Sequence, residues 1–204
     1  MLRSGWRAMA ITSLLAAASV QAGLFNLDEP STTHTKSRQQ YHGFSVSPPI
    51  GSGWYVRISE QTPMHAIYRR KLATKTHTLF AAVSFGELDK SVPVEEALVP
   101  SVVADPGRTD ILENSHQIDE SRPTRCIRYT IRYLDKHAPN SDGAVLVTID
   151  RGFVCAHPTI PGAGIRASFS ERGLESELDS SQWSEFEDFL KSVHIESAPG
   201  TPVA

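Results

Sequence analysis

Five side chains of this sequence offer chemistry through their type and spacing: Cys126, Cys155, Arg128, Arg132 and Arg151. Arginine carries a planar fork that holds two oxygens at once, so guanidiniums converging on one face would meet a carboxylate or a phosphate. The competing role is structural. Arginine stems lie over apolar neighbours such as Phe153 and Ile149, and their heads pair with the plentiful Asp and Glu. The two cysteines are the only ones in the chain, separated by 29 positions. In an exported chain they oxidise together, and closing a loop of that length stabilises a fold by roughly 3 to 4 kcal/mol on the chain-entropy account. Buried free thiols are the alternative. A redox-active pair would need the Cys-x-x-Cys spacing that is missing here.

Other chemistry fails on context. Cys155 and His157 form a Cys-x-His pair, but zinc wants three or four ligands and a disulfide removes the thiolate, so no metal site is assigned. His157 instead reads as a backbone hydrogen-bonding residue of the turn that follows. Gly162-Ala163-Gly164 outlines a dinucleotide glycine motif, yet a proline turn precedes it and a strand follows. There is no Gly-x-Ser-x-Gly elbow, His-Glu-x-x-His, phosphate loop or Ser-x-x-Lys. No catalytic or cofactor-binding residue is therefore assigned, and no cofactor is expected. The sequence points to a non-catalytic binding module, with an exported hydrolase of unrecognised site as the alternative.

The arginines and cysteines depend on two strand-like runs. In Arg125 to Leu134, Ile127, Tyr129, Ile131 and Tyr133 alternate with Arg128, Thr130 and Arg132, a period of two. The turn-forming loop Asp135 to Gly143 reverses the chain into Val145 to Cys155. If the cysteines face each other across antiparallel neighbours, Tyr129 lies opposite Gly152, where the missing side chain leaves room for its ring. Arg128 then lies opposite Phe153, and Arg128, Arg132 and Arg151 share one face with Arg122 near its end.

Residues 1–22 have the three parts of a secretory signal: Arg3 and Arg7, the apolar Ala8 to Val20, and Val20-Gln21-Ala22 before a cut after Ala22. The apolar run is too short to stay as an anchor, so no stable membrane insertion is expected after cleavage. Loss of Arg3 and Arg7 takes the formal net charge from -3 to -5. A mildly acidic chain with interspersed signs argues against nucleic acid or an anionic membrane as the main partner. The partner expected is a protein or small anionic ligand of the cell envelope. The mature chain is expected to be exported, periplasmic or secreted. Residues 23–40 are polar and patternless and read as a flexible linker, and 197–204 as a disordered tail.

Residues 41–196 read as a single domain. Strands are expected at Gly43 to Val46, Trp54 to Ile58, Met64 to Leu72, Thr76 to Leu88, Ile111 to Ile118 and Ile165 to Ser170, besides the pair above. The apolar content of Leu79 to Phe85 suggests a strand covered on both faces. Helix signals begin at Ser91, with Pro93, Glu95 and Glu96, and end by Pro100. A second helix is expected after a Ser181 cap, with Trp183, Phe186, Phe189, Leu190 and Val193 as its core stripe, before an extended His194-Ile195-Glu196.

Three of these places, Gly43-Phe44-Ser45-Val46-Ser47-Pro48 leading to Gly53-Trp54, the helix near Val92 and the closing Trp183 to Ile195 block, together resemble the PsbP-like α/β fold. The block Arg151-Gly152-Phe153-Val154-Cys155-Ala156-His157-Pro158 with Ser168-Phe169-Ser170-Glu171-Arg172 is similar to blocks in uncharacterised exported bacterial proteins. The resemblance implies an α+β architecture, a central mostly antiparallel sheet flanked by helices as an α/β sandwich, and a domain that docks on a larger assembly. This chain departs from the pattern in its cysteine pair and in the residues between Pro48 and Trp54.

Overall fold

A computed structural model describes residues 37–57, 60–100, 105, 107–139 and 141–197; the expected signal, most of the linker and all but Ser197 of the tail lie outside them. The order is β1 (Gln39–Gln40), β2 (Phe44–Val46), β3 (His65–Lys71), β4 (Thr78–Glu87), α1 (Val94–Ala97), β5 (Thr109–Ile118), β6 (Cys126–Asp135), β7 (Leu146–Ala156), β8 (Ala163–Gly173), α2 (Trp183–Ser192) and β9 (His194–Ile195). Strands β3 to β8 form a six-stranded sheet in the order β3-β4-β8-β7-β6-β5. All of its neighbours are antiparallel. Strands β1, β2 and β9 make a smaller antiparallel sheet, so Gln39 and Gln40 are strand residues rather than linker.

The period-two pattern places side chains as the sequence requires. One face of the large sheet carries Tyr68, Leu79, Ala81, Val83, Phe85, Phe153, Ile165 and Phe169 into a core with Phe44 and Val46 of the small sheet. Helix α2 closes that core with Phe186, Phe189 and Leu190, and Phe169 meets the ring of Phe186 edge-on at 5.6 Å. The opposite face holds a second cluster, Ile127, Tyr129, Ile131 and Val154, under Leu88 and Leu98.

The expected α/β sandwich is not what forms. The fold is mostly antiparallel β, and among the described residues the α-helices are a four-residue turn, α1, and the ten-residue α2. The start signals at Pro93, Glu95 and Glu96 are real, but four residues before Leu98 cannot repay the ordering of a helical nucleus by internal hydrogen bonds. One helix therefore covers one face, and the connection through Leu88 and Leu98 covers part of the other. Three local expectations also change. Tyr55 makes an isolated bridge to Arg69 in place of a strand from Trp54, and Ile58 lies outside the described residues. In β4 buried and half-buried residues alternate, so the strand is fully covered on one face only. Gln182, not Ser181, occupies the cap of α2; the Ser181 hydroxyl donates to Asp179.

Candidate functional site

Strands β6 and β7 pair with Cys126 opposite Cys155, Arg128 opposite Phe153 and Tyr129 opposite Gly152, the register expected from the cysteines. The disulfide is formed, with Cα atoms 4.0 Å apart. Arg125 O accepts from Ala156 N, which makes the adjacent cysteine pair a non-hydrogen-bonded one, the kind whose backbones approach most closely. Arg128, Arg132 and Arg151 consequently emerge on the face that α2 covers, with Arg122 near its end.

The structure brings these arginines to one face but meets each differently. Arg128 pairs with Glu187 of α2, and Arg132 with Glu175. Both pairs are part-exposed and each is worth about 0 to 1 kcal/mol. Arg122 lays its guanidinium 3.5 Å from the centre of the Phe153 ring, donates to Leu190 O at 3.0 Å and stands 3.4 Å from Asp119. Arg151 stacks its guanidinium 3.5 Å from the centre of the Trp183 indole, and its buried Nε, like that of Arg122, has no hydrogen-bond acceptor among the described residues. It lacks the carbonyl and carboxylate partners that Arg122 has in Leu190 and Asp119. Burial lowers its pKa, with Glu113, Glu171 and Glu187 pulling the other way from a distance.

Around Arg151 lies a crevice of about 260 Å³, open solvent included, lined by Ile149, Phe169, Glu171, Gln182, Trp183 and Phe186. Glu171 already accepts from His77 Nε2 at 2.8 Å and from Asp179 N at 3.0 Å, which draws its charge away from Arg151. Gln182 accepts from Arg70. The polar group of the crevice without a partner is thus the guanidinium. Trp183 was expected in the core; as the first residue of α2 it projects past the apolar stripe and is 47% exposed. No local pattern distinguishes it from Phe186, and only the position of Arg151 across the sheet gives it a partner.

Two further polar assemblies are structural. On the opposite face Asp150 accepts from Ser170 Oγ at 2.8 Å and from Arg166 Nη2 at 2.9 Å, while Arg166 Nε donates to Tyr129 Oη at 3.1 Å. Burial pushes the Asp150 carboxyl up against the pull of Arg166 and Ser170, and pushes the Tyr129 phenol up as well. These groups satisfy one another, so the assembly fixes the strands and offers no free base. His157 accepts through Nδ1 from the backbone N–H groups of Thr159 and Ile160, at 3.3 and 3.1 Å, the turn role read from its sequence. Its Nε2 is buried beside Gly43, whose φ of 76° leaves no room for a side chain against Phe85 and the imidazole. No group of three or more His, Cys, Asp or Glu among the described residues is arranged to hold a metal ion. Compared with known proteins, this chain matches no family in a scan of protein-family models and no relative in a search of curated proteins.

Proposed function

We propose that this chain works after export as a binding module, and that the Arg151–Trp183 crevice receives an anionic group, a carboxylate or a phosphate, carried by a protein or small-molecule partner. The observation that carries the reading is the Arg151 guanidinium, partly desolvated on an indole, with a buried Nε that lacks a hydrogen-bond acceptor among the described residues. Leaving such a group unpaired costs about 1 to 3 kcal/mol or more, which an incoming oxyanion would recover through the two-oxygen geometry of the fork. Tryptophan and arginine are also the side chains that most often dominate binding energy when packed at a site's centre. Arg128 and Arg132 are already paired with Glu187 and Glu175, which leaves Arg151 as the guanidinium an anion would meet.

Export is supported by the disulfide, which persists in oxidising compartments, and by the signal-like residues 1–22. Among the described residues no helix is long and apolar enough to cross a membrane. The docking role implied by the PsbP-like resemblance agrees with a binding reading. The test is a ¹⁵N-resolved NMR titration of the mature protein with citrate and with inorganic phosphate. The Trp183 indole N–H and Arg151 Nε–H signals are expected to shift saturably at millimolar anion, the Trp54 indole to stay, and the effect to weaken with added sodium chloride. Arg151→Gln is expected to abolish the shifts without altering the rest of the spectrum. Wild-type signals that stay still for both anions would defeat the proposal.

A further inference from the structure

We infer that β5 is a dimerisation strand, and that two copies of this chain join edge to edge through Leu112 to Ile118, antiparallel about a two-fold axis at Ser115. Strand β5 is one edge of the six-stranded sheet, and every residue from Ile111 to Ile118 is exposed. The other edge is already occupied: Tyr55 and Arg69 exchange two backbone hydrogen bonds at 2.9 Å on the outer side of β3. Unpaired edges invite a further strand, and proteins ordinarily blunt them with prolines, lysines, bulges or charges turned inward; β5 carries a bulge at its Leu112 end alone. From Leu112 to Ile118 there is no proline and no lysine.

The phase of the backbone is set by Asp119, whose N–H donates to Cys126 O at 2.9 Å. Alternation then turns Glu113, Ser115 and Gln117 toward β6 and leaves the N–H and C=O groups of Asn114, His116 and Ile118 pointing outward. A register shift between Ile111 and Glu113 leaves Leu112 as the extra residue of a bulge, without a partner in β6, and ends the regular run at Glu113. The edge formed by that run with Leu112 at its end is complementary to itself. With the axis at Ser115, Leu112 lies opposite Ile118 of the second copy and Asn114 opposite its His116, on the face of the second cluster. On the other face Glu113 lies opposite Gln117, and Ser115 opposite Ser115.

Between Leu112 and Ile118 this register joins the two most exposed apolar residues of the edge, Ile118 at 74% and Leu112 at 49%, and sets no acid against an acid. Neighbouring registers do worse. Moving the axis to Asn114 sets Leu112 against His116 and Ile118 against Asp110. Moving it to His116 sets Ile118 against Asn114 and carries Leu112 beyond the end of the partner strand. An odd shift is excluded, because it sets outward backbone groups against inward ones. Strand addition by an unrelated extended segment would satisfy the same backbone groups, but it does not account for the complementarity of these side chains to their own sequence. The joint is small, so the dimer should be weak.

Sedimentation equilibrium of the full exported chain with its disulfide intact tests this, with circular dichroism as the fold control. The wild type is expected to show a concentration-dependent dimer. Ile118→Lys sets a buried ammonium against Leu112 and should weaken it at least ~10-fold, and Asn114→Pro, which removes an outward N–H alone, should do the same. Leu112→Glu combined with Ile118→Lys should restore dimerisation, because this register sets each new glutamate against a new lysine twice over. A wild-type monomer at all concentrations, a dimer indifferent to Ile118→Lys, or a double variant no better than Ile118→Lys alone would each overturn the inference.

Discussion

Gly152 shows how a single residue can be right for a reason its neighbours in sequence do not reveal. Its place opposite Tyr129 suggests a gap left for the ring, and the pairing is as expected. The constraint, however, comes from the third strand: a Cβ at Gly152 would sit 2.0 Å from the carbonyl oxygen of Ala167 in β8, closer than non-bonded carbon and oxygen can approach. Backbone cannot swing aside as a side chain does, so β8 would have to shift across its pairing with β7. Gly152→Ala should lose roughly 1 to 3 kcal/mol or more of stability, read as a lower urea midpoint, whereas Tyr129→Phe should leave the pairing of β6 and β7 in place. An unchanged midpoint for Gly152→Ala would mean the strands are looser than their register implies.

At the scale of elements, α2 is held to the sheet by more than its apolar stripe. Glu185, in its first turn, accepts from Gly51 N at 2.8 Å, from Trp54 Nε1 at 2.5 Å and from Arg70 Nη1 at 2.9 Å. One carboxylate thereby ties the helix to the turn before β3 and to β3 itself. Arg70 is also 5.1 Å from the Trp54 ring, so the three side chains form one unit. Arg70 is buried and Glu185 half-buried, and removing the acid leaves the buried guanidinium without its charged partner. Glu185→Ala should therefore cost about 3 to 5 kcal/mol. Glu185→Gln, which keeps an oxygen for Gly51 and Trp54, should cost less. Equal losses in the two variants, measured by chemical denaturation, would assign the effect to packing instead of charge.

For the whole molecule, acid is the condition that most directly tests how the chain is closed. His157 lies where the β7–β8 turn meets Gly43, with Phe85 edge-on to it at 5.7 Å and His42 adding a second imidazole nearby. Burial holds its pKa below the ordinary value of 6.5, against a smaller opposing pull from the Gly43 backbone. A base whose folded pKa is depressed binds fewer protons folded than unfolded, so stability rises with pH in that range. Its contribution is fully present above about pH 6.5 and is lost as the pH falls through the depressed folded value. Protonation also removes the Nδ1 acceptor used by Thr159 and Ile160. His65, depressed by burial as well, acts in the same direction, while Asp150, pushed up, acts in the opposite one. The contribution of His157 is isolated by the difference from His157→Asn, which keeps an acceptor but no titrating ring. That variant should flatten the slope of denaturant midpoint against pH between neutrality and pH 5, and a slope identical to wild type would remove His157 from the account.

Local periodicity determined a good deal about this protein. The alternation of Ile127, Tyr129, Ile131 and Tyr133 with Arg128, Thr130 and Arg132 specified a strand and its two faces, and two cysteines sufficed to specify the register of β6 on β7. The stripe Phe186, Phe189, Leu190 and Val193 specified α2, and β-branched and aromatic runs marked the strands from β2 to β8 to within a few residues. These are properties of neighbours along the chain, and a sequence carries them directly. What lay beyond it were relations between segments far apart. The number of covering helices depended on whether α1 could extend, and four residues could not. The fate of each arginine depended on which acid or ring stood across the sheet, so Arg128 and Arg132 found Glu187 and Glu175 while Arg151 found Trp183. Strand order was equally hidden: pairing β8 with β4 closes one side of the meander and leaves β5 as its open edge. Burial and contact across a sheet are set by the packing of the whole chain, which no window of sequence contains.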